Sequence, residues 1–198
     1  MKVSFSTLFA VFFLSLVFTS ISAQSTSNVV PFIPYTQSHR HEAIHGTVHD
    51  EGAIMLRGVS GHAGLFANAN DLAKLMQMYL DRGEYGGKRY IKAETLDEST
   101  RTRFPENNNR RALGFDKPNL KYAGDSNNTA RDASVSSFGH TEFTGMFTWM
   151  DPKSGLLYIF LSNRVTPTRE NALLYQLNTR TKIQQAIYDS VQSTADKK

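Results

Sequence analysis

The strongest constraint on the fold is an apolar hairpin pattern in the C-terminal half of the chain. The segment SSFGHTEFTGMFTWMD, residues 136–151, predicts two short extended stretches that are separated at Gly145. The turn sequence DPKSG leads from there into LLYIFLSNRV, residues 156–165, a continuous apolar run typical of a strand covered on both faces. Together these stretches predict an antiparallel sheet of at least three strands.

Helical patterns flank this sheet on both sides. Asn70 is the predicted N-cap of a first helix, and Gly83 is its predicted end. A more polar helix is expected over KAETLDESTRTRF, residues 92–104, and a closing helix over residues 168–191, after Pro167. The apolar stripe of the first helix is Leu72, Leu75, Met76 and Tyr79, and that of the last is Leu173, Leu174, Leu177, Ala186, Ile187 and Val191.

The segment between helices and sheet, residues 104–136, is mostly polar. It predicts a long surface loop with a short strand near RALGF, residues 111–115. Helices followed by antiparallel strands and a closing helix give an α+β fold, here a partial antiparallel sheet flanked by helices.

Composition narrows the chemistry. The chain has 198 residues, no cysteine and a formal net charge of +4 with scattered basic residues. Thiol nucleophiles, disulfides and Cys-ligated zinc are therefore excluded, and the charge pattern does not indicate a nucleic-acid partner.

The first residues have the pattern of an export signal. Lys2 precedes the apolar stretch LFAVFFLSLVF, residues 8–18, and small residues then favour cleavage after Ala23. We predict a signal peptide over 1–23, a linker over 24–38, a domain over 39–191 and a disordered tail over 192–198. The mature protein would be secreted or periplasmic, with membrane contact only through the signal segment.

A histidine-rich stretch, HRHEAIHGTVHDEG, contains the His-Glu-x-x-His pattern of zinc hydrolases at His41, Glu42 and His45. The spacing suits a helix that binds zinc, but Gly46, Thr47 and Val48 disfavour its continuation. A zinc-dependent hydrolase is therefore kept as an alternative, and the leading interpretation assigns no metal and no cofactor.

Ser60 is a second candidate that the local pattern disfavours. The stretch GVSGHAG places it two residues before His62, where a serine nucleophile elbow, Gly-x-Ser-x-Gly, requires glycine. We interpret Ser60 as a turn residue.

Three stretches together carry a family resemblance. They are GTVHDEGAIMLRGVSGHAGLFANANDLAKLMQMYL, RRALGFD and FGHTEFTGMFTWMDPKSGLLYIFLSNRVTPTREN. They resemble the C-terminal part of the serine β-lactamase and penicillin-binding-protein-like hydrolases, in the version attached to β-N-acetylglucosaminidase-type glycoside hydrolases. The resemblance covers about residues 40–191 and implies a sheet beside a helical lobe, with ester or amide hydrolysis on cell-wall-like substrates. It also implies that the upstream histidines are not a metal site.

The resemblance assigns the candidate site residues. The family's Lys-Thr-Gly or His-Thr-Gly triplet corresponds to His140 and Thr141, with Glu142 in place of the glycine. Phe143 would supply an oxyanion N–H, so the implied catalytic positions are His140, Thr141 and Phe143. Glu142 adds a negative charge beside that oxyanion. The implied substrate-binding positions are Glu142, Thr144 and Gly145.

The family's nucleophile has no counterpart in this sequence. No serine is followed three residues later by lysine, no Tyr-x-Asn occurs, and we interpret Ser126-Asn127-Asn128 as a coincidence. The sequence thus predicts a truncated hydrolase domain, without its N-terminal lobe, that is inactive alone. A partner chain would supply that lobe and a cell-wall or acyl compound would be the substrate. The alternative from another class is a non-catalytic module that binds cell-wall or sugar fragments.

Overall fold

The computed structural model describes residues 46–195. The predicted signal peptide, the linker and the motif His41-Glu42-x-x-His45 all lie outside the described residues. The chain divides into two compact units, one ending at Ala67 and one beginning at Asn68. In the described part of the chain, no helix is both long enough and apolar enough to cross a membrane.

The first unit contains a five-residue helix, α1, at Glu51–Met55. Its N-cap is Asp50, whose carboxylate accepts a hydrogen bond from the backbone N–H of Ala53 at 2.8 Å. Glycine-rich turns and bends follow this helix.

The second unit confirms the α+β fold, with small antiparallel sheets between helices. In the larger sheet, the strand Phe147–Asp151 lies between Phe138–Thr141 and Leu156–Phe160, and Glu84–Tyr85 pairs with Lys88–Arg89 in a separate two-stranded hairpin. Single turns of 3-10 helix occur at Pro105–Asn107 and Gly124–Ser126. The elements in chain order are α2 (Ala69–Leu80), β1 (Glu84–Tyr85), β2 (Lys88–Arg89), α3 (Ala93–Thr100), β3 (Phe138–Thr141), β4 (Phe147–Asp151), β5 (Leu156–Phe160), α4 (Leu173–Gln176) and α5 (Thr179–Ala195).

Helix α2 starts earlier than predicted. Its N-cap is Asn68, which has an extended backbone and accepts a hydrogen bond from the N–H of Asp71 at 3.0 Å. The prediction of Asn70 as N-cap was wrong, because Asn70 already lies within the first turn. The predicted apolar stripe is confirmed at Leu75, Met76 and Tyr79, which are buried.

The closing helix is shorter at its start than predicted and is interrupted. Arg164 donates from Nη1 to the carbonyls of Arg169 at 2.9 Å and Asn171 at 2.8 Å, which holds this segment as a loop. Asn178 has a left-handed backbone, with φ of 51°, and separates α4 from α5. Helix α5 then continues through Ala195, past residue 192, where a disordered tail was predicted.

The predicted apolar stripe of the closing helix was also wrong for most of its length. Leu173, Leu177 and Val191 are exposed, whereas Gln184 and Tyr188 are buried. Ile187 is the member of the stripe that packs against the aromatic core. The break at Asn178 changes the phase between α4 and α5, so one stripe cannot continue across both.

The sheet has a helix on each face. On one face Phe147 stacks on Trp149 with ring centroids 5.3 Å apart, and together with Tyr158 these rings pack against Ile187 of α5. On the opposite face Phe138 of β3 meets Phe115, which in turn meets Tyr79 of α2, at centroid distances of 5.1 and 5.4 Å. β5 is therefore partly covered on both sides, with Tyr158 as its most buried residue.

The predicted strand near RALGF does not form. Only Asp116, just after that stretch, pairs with β3, where its N–H and C=O bond to Gly139 at 2.8 and 3.1 Å. Pro118 has no N–H with which to extend the ladder. Gly139 allows β3 to approach β4 closely, because a Cβ there would lie 2.1 Å from the carbonyl oxygen of Thr148 and 2.5 Å from the Trp149 ring.

The buried carboxylate of Asp151 joins three parts of the second unit. At the end of β4, it accepts hydrogen bonds from the Ser134 N–H at 3.0 Å, from the Lys153 N–H at 3.0 Å and from the Tyr188 hydroxyl at 2.7 Å. Burial alone would raise the pKa of Asp151, but the hydrogen bonds from Ser134, Tyr188 and Lys153 outweigh it and lower the pKa. The loop before β3, the hairpin turn and α5 are therefore held by one ionised group.

Replacing Tyr188 with phenylalanine tests this junction. Tyr188→Phe leaves a buried carboxylate with one donor fewer, so we expect the free energy of unfolding to fall by about 1–3 kcal/mol in urea titrations. Tyr122→Phe is the matched control, because Tyr122 is exposed, and it should change stability by less than about 0.5 kcal/mol. Equal effects of the two substitutions would contradict the role given to Asp151.

Candidate functional site

Strand alternation places the two triplet residues on opposite faces of the sheet. Successive side chains of a strand point to opposite faces. Thr141 therefore shares a face with its partner Phe147, on the side of α5, whereas His140 shares the other face with Thr148. The two triplet residues thus do not converge on one cavity wall.

Thr141 opens onto a cavity of 220 Å³ between the sheet, the polar loop and the closing helices. Loop 110–128, β3 and the segment that joins α4 to α5 each contribute side chains to it. The cavity is lined by Arg110, Asp116, Ser126, Asn127, Asn128, Thr141, Leu174, Tyr175, Asn178, Arg180 and Thr181. Most of these groups are polar, so the cavity suits a polar rather than a purely apolar ligand.

Arg110 and Asp116 form a neutral wall of the cavity. The guanidinium group of Arg110 binds the buried carboxylate through Nε at 2.7 Å and Nη2 at 3.0 Å. This bidentate geometry is the strong form of the arginine–carboxylate pair. The backbone of Asp116 also pairs with Gly139 of β3. The ion pair therefore holds the polar loop next to Thr141.

Arg180 is the second guanidinium of the cavity, and it has no carboxylate partner among the residues that the structure describes. It is half-buried and stacks over the rings of Tyr175 and Phe147, with its Cζ 4.9 and 5.7 Å from the centroids. Burial lowers the pKa of Arg180 from its ordinary value, but an arginine keeps its charge in proteins. The charged groups of the lining, two guanidiniums and one carboxylate, therefore leave one positive charge unbalanced.

The turn that joins β3 to β4 is clamped by Arg164. Its Nε donates to the carbonyl of Phe143 at 2.8 Å, and the Tyr175 hydroxyl donates to the same oxygen at 3.1 Å. The exposed Phe143 ring packs under the guanidinium of Arg164, 4.4 Å from its centroid. The backbone position predicted to donate to an oxyanion is thus held rigidly by its carbonyl.

The other predicted site residues surround this turn outside the cavity. His140 is exposed, and its Nδ1 lies 2.9 Å from the carbonyl of Thr141; Glu142 is exposed as well. The Thr144 hydroxyl is buried and has no hydrogen-bond partner in the described part of the chain. Gly145 has φ of 106°, and a Cβ there would lie 2.6 Å from Ser162 Oγ. Of the six predicted site residues, the structure brings only Thr141 into the cavity.

The polar loop contributes to the cavity in a way that its sequence did not predict. Ser126, Asn127 and Asn128, which we interpreted as a coincidence, line the same cavity as Thr141. The amide of Asn128 accepts from the Asn119 N–H at 3.0 Å and donates to the Lys117 carbonyl at 2.8 Å. Side-chain hydrogen bonds of this kind order a loop that has no regular secondary structure, and no local sequence pattern predicts them.

A buried lysine, Lys117, lies next to the cavity residue Asp116 in the chain. Lys117 is 5% exposed, its ammonium group donates to the Ser136 carbonyl at 3.0 Å, and it lies over the Phe138 ring at 5.9 Å. Burial lowers its pKa from 10.5 to about 8. Because it is absent from the cavity lining, its influence on the site is through packing of β3.

The zinc hypothesis stays a prediction, because His41, Glu42 and His45 lie outside the described residues. Over residues 46–195, no group of three metal-ligating side chains occurs. The cavity is lined by one carboxylate, that of Asp116, which is paired with Arg110.

Comparisons with known proteins point in one direction. The profile of the family described as "Beta-lactamase" matches residues 19–181. A protein of Salmonella gallinarum named "Putative D-alanyl-D-alanine carboxypeptidase" is 38% identical over 129 residues, 63% of this chain and 28% of that protein. Its counterpart in Salmonella paratyphi B is 37% identical over the same share of each chain. The present chain thus spans less than a third of the length of these relatives.

A solved structure is similar over part of the chain. The crystal structure of a beta-lactamase from Mycobacterium bovis covers 63% of this chain and 44% of that chain, with 23% sequence identity and a TM-score of 0.48. The attachment to a glycoside hydrolase that the resemblance implies stays a prediction.

The buried ammonium group of Lys117 predicts a specific pH dependence of stability. Between about pH 8 and 10.5 the unfolded chain binds this proton and the folded chain does not, so the unfolding free energy rises with pH. Between pH 7 and pH 10, the unfolding free energy of the wild-type chain should rise by about 1–3 kcal/mol relative to that of Lys117→Met, measured by urea unfolding. A difference between the two proteins that does not change with pH would show that Lys117 is not desolvated.

Proposed function

Because the chain belongs to the beta-lactamase family, we propose that its cavity is the substrate-side wall of a serine hydrolase site that receives a small carboxylate-bearing acyl compound. The unbalanced charge of Arg180 is the observation that carries this proposal. A half-buried guanidinium without an anionic partner is costly, and an incoming carboxylate would offset that cost through charge-assisted hydrogen bonds. The hydroxyl groups of Thr141 and Ser126 line the same space and suit the remaining polar atoms of such a ligand.

The names of the relatives support a peptide that ends in a carboxylate. A D-alanyl-D-alanine carboxypeptidase acts next to a free C-terminal carboxylate, which is the group that Arg180 would bind. A cavity of 220 Å³ is large enough for one or two residues of this size, but not for a long sugar chain. Such a cell-wall substrate also fits the export predicted from residues 1–23.

Hydrolysis in the cavity by the serine–lysine mechanism of the family needs groups that are not found in this sequence. No serine lies three residues before a lysine, and Glu142 stands where the family triplet has glycine. Without an activated nucleophile at the cavity, covalent catalysis is lost there and only binding and electrostatic effects remain. We therefore propose that the chain alone binds its ligand reversibly and that a second polypeptide supplies the serine–lysine element.

The open edge of β5 is the proposed place for that second polypeptide. The backbone groups of Gly139 bond to Asp116 and not to its partner Trp149, so the backbone N–H and C=O of Trp149 point toward β5. They meet Tyr158 there, and the backbone groups of Leu157 and Ile159 therefore face away from the sheet. No other strand of the described sheet pairs there. A bound partner strand should slow amide hydrogen exchange at Leu157 and Ile159, and unchanged exchange in a complex would contradict this placement.

The non-catalytic alternative uses the same cavity. A binding or accessory module would recognise the same carboxylate through Arg180 and would need no nucleophile and no partner lobe. The two proposals differ in whether a complex with a serine–lysine polypeptide ever forms a covalent adduct with the ligand. Both require that the cavity binds an anion.

The charge of Arg180 can be tested directly. We expect N-acetyl-D-alanyl-D-alanine to bind the wild-type chain in calorimetric titrations, and Arg180→Met to weaken it by about 2 kcal/mol, roughly thirty-fold. Arg101→Met is the matched control, because Arg101 is exposed and pairs with Glu98 outside the cavity. Equal affinity of Arg180→Met and the wild type, or no saturable binding at all, would overturn the proposed function.

A further inference from the structure

Three side chains of the first unit form a continuous hydrogen-bonded chain. Ser60 Oγ lies 2.7 Å from His62 Nδ1, and His62 Nε2 lies 2.8 Å from Asp50 Oδ1. These are the residue types and the order of contacts that activate serine in hydrolases, where the arrangement is recognised by geometry rather than by sequence position. None of the three residues belongs to the cavity of the second unit.

The network fixes which nitrogen of the imidazole carries the proton. A hydrogen bond from the Ala53 backbone N–H, together with those from His62 and Gly52, lowers the pKa of Asp50 despite partial burial. Asp50 is therefore ionised at neutral pH and can only accept, so His62 Nε2 must be the donor to it. In neutral His62, Nδ1 is then unprotonated and accepts the hydroxyl proton of Ser60, which is the arrangement of a general base.

The surrounding loop holds Ser60 in this position. The Ser60 N–H donates to the Ala63 carbonyl at 3.2 Å, which closes a tight turn around His62. At the end of the turn, a Cβ on Gly64 would lie only 2.3 Å from the carbonyl oxygen of Gly58, so the two backbones touch. The Ser60 hydroxyl is therefore fixed by backbone contacts on both sides of the turn.

The site is also open to a ligand. The His62 side chain is 60% exposed, and a Cβ built on Gly61 would meet no atom within 4 Å. Ser60 itself is partly exposed, so a small acyl or phosphonyl compound can approach it from solvent. Gly52 packs closely against the hydrogen bond between Asp50 and His62, because a Cβ on Gly52 would lie 3.2 Å from Asp50 Oδ1 and 3.5 Å from His62 Nε2.

We propose that Ser60 is a nucleophile toward small esters with good leaving groups and toward phosphonyl fluorides, with His62 as general base and Asp50 as the orienting carboxylate. With an aryl ester, Ser60 Oγ forms a bond to the carbonyl carbon while its proton passes to His62 Nδ1. The bond from that carbon to the aryl oxygen breaks, and the phenol leaves with the proton from Nδ1. Water then hydrolyses the acyl-serine with the same base, and Asp50 stabilises the imidazolium in both steps.

A fluorophosphonate stops this sequence after its first step and therefore reports on the nucleophile. Ser60 Oγ would bond to phosphorus, fluoride would leave, and the hydroxyl proton would pass to His62. This activity goes beyond the proposed function, because it requires neither Arg180 nor a serine–lysine element. If carboxylate binding in the cavity failed, the proposal for Ser60 would still stand. If Ser60 did not react, the proposal for the cavity would likewise still stand.

The experiment is to treat the full chain with an alkyl fluorophosphonate and to map the labelled peptide by mass spectrometry. We expect one label, on Ser60, absent in Ser60→Ala and formed about a hundredfold more slowly in His62→Gln, the size of a general-base effect. Gly52→Ala, which crowds the bond between Asp50 and His62, should slow labelling by a smaller factor. Ser193→Ala is the matched control, because Ser193 is exposed on α5 and its hydroxyl donates to the Ser190 carbonyl, and it should label like the wild type.

Two results would overturn the proposal. One is the absence of label on Ser60 in a chain whose circular dichroism shows it to be folded. The other is labelling of Ser60 at an equal rate in His62→Gln and in the wild type, which would show simple solvent exposure without a base. Equal melting temperatures of Ser60→Ala and the wild type would show that lost labelling is not lost folding.

Discussion

The carboxylate of Asp151 is the contact on which the arrangement of the second unit depends. Four donors converge on it: the N–H and the hydroxyl of Ser134 in the loop before β3, the N–H of Lys153 in the turn after β4 and the hydroxyl of Tyr188 in α5. A buried carboxylate is tolerated only when its hydrogen-bonding capacity is met, so these segments cannot separate without exposing an unpaired charge. Through this contact, β3 and α5 keep the positions in which Thr141 and Arg180 line one cavity.

The same geometry decides what chemistry the cavity can support. Alternation along β3 sends Thr141 to the side of α5 and His140 to the other face, so the imidazole is not available beside Arg180. The cavity has one unbalanced guanidinium, hydroxyl groups and a neutral ion pair, which together suit recognition of an anion. It lacks an activated nucleophile, and in this family the serine is the group that turns recognition into acyl transfer.

Local sequence patterns predicted the elements whose structure is decided locally. The hairpin from Phe138 to Phe160 follows from apolar runs and turn residues, and α2 follows from its apolar period. The start of that helix was predicted at Asn70 instead of Asn68, because both residues are good caps and the choice between them depends on backbone angles. No sequence rule of short range could separate the two.

Contacts between distant residues explain the failures. The closing helix begins late because Arg164 binds carbonyls of the following loop, and it breaks at Asn178 because that residue is left-handed. The cavity joins segments near residues 110, 126, 141 and 180, which only the fold brings together.

The role of the serine near His62 was missed for a related reason. Ser60 does not fit the nucleophile-elbow motif, and the third member of the hydrogen-bonded chain, Asp50, lies ten residues earlier at the start of α1. Triads of this type are defined by contacts in space, and their order and spacing along the chain vary.

The most direct test is the mass of the isolated chain after incubation with a penicillin, followed by peptide mapping of the second unit. Our account predicts that residues 68–198 stay unmodified at concentrations where the ligand binds, because no serine there has an activating lysine. A stable penicilloyl group on Ser126, the serine that lines the cavity, would show that this chain contains a working nucleophile and would contradict the account.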